Sequence, residues 1–89
     1  MFSKGSKKGT IRFSVRNGQV KKAEVAGDFS GWRPVAMKKQ KGEFVALVPA
    51  EPGSHQYKFL LDGQWMIDPD NDQVVPNDLG SYNSVAEIA

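Results

Sequence analysis

Two tryptophans and a lysine are the residues here best suited to meeting a ligand: Trp32 in GDFSGWRP, and Lys58 and Trp65 in HQYKFLLDGQW. Lys58 and Trp65 flank Asp62-Gly63, a pair favoured in two-residue hairpin turns because both central positions need positive φ. With that turn, Leu61 opposes Gln64, Leu60 opposes Trp65, and Lys58 opposes Ile67. Opposed and alternate residues share a sheet face. Lys58, Leu60, Trp65 and Ile67 therefore lie on one side, and Tyr57, Phe59, Leu61 and Met66 on the other with His55 and Gln64. A lysine stays unburied unless paired, so the second set is the core face and Trp65 is expected to be at least partly exposed.

An exposed indole beside a hydrogen-bonding cation suits a sugar. Pyranose faces carry apolar C–H groups that lie flat on indole, while the ring edge carries hydroxyls that need polar partners. Stacking removes apolar area from water at ~25 cal/mol per Å². Trp32 supplies a second platform if the fold brings the two rings together. On these residues alone the alternative stays open that both tryptophans are ordinary core or rim aromatics.

Other chemistries fit less well. Glycoside hydrolysis normally needs two carboxylates at a defined separation. Four of the ten acids, Asp68, Asp70, Asp72 and Asp78, sit in the polar stretch between Asp68 and Gly80, where solvation accounts for them. His55, the single histidine, falls on the inward face and reads as structural rather than as a base. With no cysteine there is no thiolate chemistry and no disulfide framework. Asp68, Asp70 and Asp72 imitate the start of a calcium loop, but Gln73 stands where glycine is needed and Leu79 where the bidentate glutamate belongs. No enzyme activity, metal or cofactor is expected.

Residues 1–45 hold 11 of the 12 Lys/Arg, an asymmetry that can mark a nucleic-acid arm. Lys4, Lys7 and Lys8, however, belong to a Gly/Ser-rich stretch, and the rest are scattered, so neither nucleic acid nor membrane is an expected partner. Single-stranded RNA could stack on the tryptophans, but it would need more cation than Lys58 nearby. The absence of an apolar run makes a soluble cytoplasmic protein the default.

The elements that must position these residues are strands. Ile11, Phe13 and Val15 alternate with Arg12, Ser14 and Arg16, a half-buried strand. Further strands are expected at Val20–Gly27, Met37–Lys41, Glu43–Val48, His55–Leu61, Trp65–Ile67 and Tyr82–Ile88. GDFSGWRP and PAEPGS read as loops, and Asp68–Gly80 as a solvated polar excursion. The chain is 39% apolar and 25% charged, and no stretch offers a useful amphipathic helix. The expectation is an all-β sandwich: residues 1–8 a flexible N-terminal tail, residues 9–89 one domain.

GDFSGW, GSHQYKFLLDGQWMIDPD and NDLGSYNSVAEI resemble the glycogen-binding domain of the AMP-activated protein kinase β subunit, and more broadly carbohydrate-binding module family 48. The resemblance runs from about Thr10 to Ile88. It implies an immunoglobulin-like antiparallel β-sandwich that binds α-1,4-linked glucans (glycogen, starch, maltooligosaccharides) without cleaving them. Position by position, it implies that Trp32 and Trp65 stack on glucose, that Lys58 hydrogen-bonds sugar hydroxyls, that Leu79 reaches around the glucan from a loop tip, and that Asn83 hydrogen-bonds the ligand. Ser81 stands where the kinase subunit has a regulatory threonine, and Tyr82 where it has a smaller apolar residue. The partners implied are an α-glucan and a glycogen-metabolising enzyme or kinase. The alternative is a structural or regulatory protein–protein interaction module, related to a kinase β subunit or to the accessory domain of a starch-processing enzyme.

Overall fold

Alternating apolar and polar residues cannot bury one face as isolated strands, so they pair into sheets whose apolar faces meet. The computed structural model describes residues 1–88. The strands are β1 Phe2–Lys4, β2 Thr10–Val15, β3 Ala23–Gly27, β4 Val35–Ala36, β5 Lys38–Gln40, β6 Glu43–Pro49, β7 Gly53–Leu61, β8 Gln64–Met66, β9 Val74–Pro76 and β10 Tyr82–Ile88. One 3-10 turn, Asp28–Ser30, follows β3.

One sheet has the order β1-β2-β6-β5; the other runs β4-β3-β7-β10-β9, with β8 also pairing with β7. Every pairing among the described residues is antiparallel. Ile11, Phe13, Val15, Phe44 and Val48 from the first sheet share a core with Val25, Tyr57, Phe59, Leu61 and Ala86 from the second. Phe13, whose ring lies 4.7 Å from that of Tyr57, joins the two layers. The molecule is the expected antiparallel sandwich of the immunoglobulin-like class.

The hairpin register is the one read from the sequence: Leu61 pairs with Gln64, Leu60 with Trp65 and Phe59 with Met66. Asp62 and Gly63 take φ of 49° and 83°. Asp62 has a further task, since its carboxylate accepts the Lys21 and Lys22 N–H groups at 3.0 and 2.8 Å. Met66, assigned to the core face, is instead 41% exposed. Its strand pairs only with β7, at the rim, so its inward side lies outside the core cluster.

Two other expectations are corrected. Residues 1–8 were expected to be a flexible tail, but Phe2–Lys4 pair with Ile11–Phe13 as an edge strand. Phe2 supplies the driving force, packing edge-on to Tyr57 with ring centroids 6.3 Å apart. The Asp68–Gly80 excursion was expected to be solvated throughout, but it contains β9 and begins with a carboxylate only 2% exposed.

Asp68 is buried because it is saturated. Its Oδ2 accepts the Tyr57 hydroxyl at 2.6 Å and lies 2.5 Å from the Met1 amino group; its Oδ1 accepts the Asp70 N–H at 2.9 Å. Its own N–H donates to Ser84 Oγ at 2.8 Å. Asn71 Nδ2 donates to the Tyr57 hydroxyl and to the Val85 carbonyl at 3.0 and 2.8 Å. Burial, then the bond to Asp68, pushes the Tyr57 phenol well above its ordinary pKa. Among the described residues no buried side-chain polar atom lacks a partner. Tyr57→Phe should therefore cost about 1–3 kcal/mol, because a buried carboxylate loses a donor without regaining water. Urea unfolding at unchanged slope measures this, and an unchanged midpoint would show that the network adds nothing.

Candidate functional site

On β7, Tyr57, Phe59 and Leu61 point into the core, leaving Gln56, Lys58 and Leu60 to the outer face. Trp65 pairs with Leu60 and shares that face. Ser84 pairs with Tyr57, so its neighbour Asn83 also faces outward. Gln56, Lys58, Trp65 and Asn83 floor an open groove of about 840 Å³ whose walls come from the Trp32 loop and from residues 76–81. All five residues singled out from the sequence, Trp32, Lys58, Trp65, Leu79 and Asn83, line it.

Trp32 is delivered by a constrained turn. Of the two aromatics in GDFSGW, Phe29 turns inward onto Phe13, with ring centroids 5.2 Å apart, and Trp32 remains 39% exposed. The Trp32 N–H donates to the Gly27 carbonyl at 2.8 Å, and the Ser30 hydroxyl donates to the Arg33 carbonyl at 2.9 Å. Trp32 itself sits at φ 64°, a left-handed conformation that is unfavourable for a bulky residue by about 1–3 kcal/mol. Gly27 must be glycine for lack of space: a Cβ there would lie 2.5 Å from both the Gln56 carbonyl and the Phe29 ring.

Asp28 clamps this turn to β7. One carboxylate oxygen accepts the Gln56 N–H at 2.9 Å and the other meets His55 Nδ1 at 2.8 Å. His55 Nε2 faces the Glu51 carbonyl at 2.6 Å. Only the protonated ring can donate to both acceptors. The Glu51 carbonyl, with the bond and charge of Asp28, outweighs burial and raises the His55 pKa above its ordinary 6.5. His55 is thus a brace beneath the Trp32 turn.

The opposite wall turns on Asn77, whose side-chain Oδ1 accepts the N–H groups of Leu79 and Ser81, each at 3.0 Å. The turn holds Leu79 out in water, 90% exposed. Lys58 Nζ donates to Ser81 Oγ at 3.1 Å, which steadies the ammonium at the groove floor. Trp65 is 49% exposed. Asn83 is nearly buried, at 7%, with its amide bonded to Asn77 and Gln56 at 3.0 Å each. Gln56, Pro76, Asn77 and Asp78 also line the groove and were not singled out from the sequence. Gln56 could have been found, because it stands two residues before Lys58 and shares its face.

The groove is an aromatic and polar trough on the outer face of one layer of a β-sandwich. By fold, the chain is similar to a maltogenic amylase from S. marinus, with a TM-score of 0.70 over 90% of this chain and 13% of that one at 20% identity. Fold and groove together define the class as a β-sandwich with an open aromatic trough on the outer face of one sheet. The sequence signature described as the glycogen recognition site of AMP-activated protein kinase matches residues 10–89, and the chain belongs to that family. Relatives include the 5'-AMP-activated protein kinase subunit beta-1 of Sus scrofa, 37% identical over 68 residues, which are 76% of this chain and 55% of that one. The human beta-1 subunit is 34% identical over 68 residues, and the Mus musculus beta-2 subunit 36% over 69; each match covers 76% of this chain and 25% of the relative. The chain thus spans about half the length of the pig relative and a quarter of the other two.

Because the fold favours the protonated imidazole, the stabilisation from His55 is complete below its unfolded pKa and is lost as pH rises through the folded one. Unfolding free energy should fall as pH rises above the ordinary histidine pKa of 6.5, and His55→Gln should flatten that dependence. Urea titrations across the range test this; a profile unchanged by the substitution would remove His55 from the brace.

Proposed function

We propose that this domain binds α-1,4-linked glucans such as glycogen, starch or maltooligosaccharides without cleaving them. The observation that carries this reading is one groove holding two half-exposed indoles with an ammonium at its floor. Trp32 and Trp65 take the apolar faces of glucose units. Lys58 donates to hydroxyls, Asn83 offers its remaining amide capacity, and Leu79 packs over the chain from the opposite wall. A single carboxylate, Asp78, faces the groove among the described residues, whereas hydrolysis works with a pair. Relatives described as kinase subunits support a role in which glucan binding brings an associated kinase or glycogen-metabolising enzyme to its polymer.

An open trough desolvates hydroxyls and orders a flexible chain, so the dissociation constant for a short oligosaccharide should be on the order of micromolar to millimolar. Stacking one indole covers roughly 50–100 Å² of apolar surface, about 1–3 kcal/mol at ~25 cal/mol per Å². Trp65→Ala should therefore weaken maltoheptaose binding by about ten- to a hundredfold while leaving the urea midpoint nearly unchanged. Lys58→Ala should cost about 1–3 kcal/mol of binding. Tryptophan fluorescence titrations against maltooligosaccharides and cellooligosaccharides test both the residues and the preference for the curved chain. No response to maltoheptaose, or equal response to both series, would overturn the proposal. Binding should also persist in high salt, as contacts to nucleic acid would not.

A further inference from the structure

Asn77 fixes more than its own loop. Its Oδ1 faces two backbone N–H groups, those of Leu79 and Ser81. Backbone N–H groups only donate, so the oxygen must stand there and the Asn77 amide has one orientation. Its Nδ2 is then the donor toward Asn83, 3.0 Å away, and the atom facing it must be Asn83 Oδ1. The other end of that amide, Nδ2, donates to Gln56 Oε1 at 3.0 Å. Gln56 therefore spends its acceptor inside the relay and turns its NH₂ group the other way. Gln56 is exposed and lines the groove beside Lys58.

We propose that Gln56 is a further glucan-contacting residue, donating its Nε2 hydrogens to sugar oxygens, and that Asn77 is the positioning residue that sets this polarity through Asn83. The inference rests on the glucan-binding reading of the groove. Two adjacent donors, the Gln56 amide and the Lys58 ammonium, line its floor and suit ligand edges rich in acceptor oxygens. Without the relay, the Gln56 amide could rotate and offer either end.

Asn77→Asp tests the relay directly. The new carboxylate still accepts the Leu79 and Ser81 N–H groups, but it presents a second acceptor to Asn83. The Asn83 amide then reverses, the Gln56 amide reverses after it, and an acceptor replaces the donor in the groove. Calorimetric titration of the 89-residue chain with maltoheptaose should show Gln56→Ala weakening binding about three- to tenfold, as expected for one or two neutral hydrogen bonds. Asn77→Asp should weaken binding comparably, and most of its effect should vanish in the Gln56→Ala background. In NMR spectra without ligand, Asn77→Asp should shift the side-chain NH₂ signals of Asn83 and Gln56 and leave the backbone amides of Leu79 and Ser81 nearly in place.

Wild-type binding lost with Trp65→Ala but unchanged by Gln56→Ala would overturn this inference and leave the function standing. So would an Asn77→Asp effect that persists in full without the Gln56 side chain, or side-chain amide signals that do not move. No wild-type binding at all would overturn the proposed function, and this assignment with it.

Discussion

The pleat of β7 gives one strand two faces, and both are used. Because successive side chains point to opposite sides, Tyr57, Phe59 and Leu61 can enter the core only if Gln56, Lys58 and Leu60 leave it. A shift of one residue in its pairing with β3 or β10 would put an ammonium in the core and an aromatic in the groove. The same contacts that fold the sandwich therefore aim the groove floor. The Asp62-Gly63 turn extends this control to Trp65 by fixing the register of β8.

The walls need separate devices, because loops have no ladder to hold them. The Trp32 wall is tied to β7 by Asp28, His55 and the close approach of Gly27 to the Gln56 carbonyl. The Leu79 wall is tied to β10 through Asn77 and Asn83. Beneath it, the buried Asp68 with Tyr57, Asn71 and Ser84 anchors the chain where it leaves β8 for that wall. Groove and core are thus joined by hydrogen bonds that converge on β7 and β10.

What could be read from the sequence was what local alternation and turn chemistry decide. The faces of β2 and β7, the hairpin register and the exposure of Trp65 all follow from period-two patterning beside an Asp-Gly pair. A resemblance extended this to Leu79 and Asn83, which periodicity alone would not have chosen. The rest depended on partners far along the chain. Phe2–Lys4 is too short to show alternation, and its strand exists because Phe2 meets Tyr57. DPDNDQ is as polar as a solvated loop, and Asp68 is buried because distant partners, Tyr57, Ser84 and the Met1 amino group, meet it there. Which aromatic of GDFSGW turns inward was likewise settled by Phe13, on the other sheet.

Trp32 holds an energetically awkward backbone for the sake of where its ring ends up. A glycine at that position would relieve the left-handed torsion and erase the platform in the same stroke. Backbone ease and the shape of the groove therefore pull in opposite directions at this residue. Breeding the domain for heat tolerance alone would reward discarding Trp32, and a hardier descendant obtained that way would fold well with one aromatic wall of its groove gone.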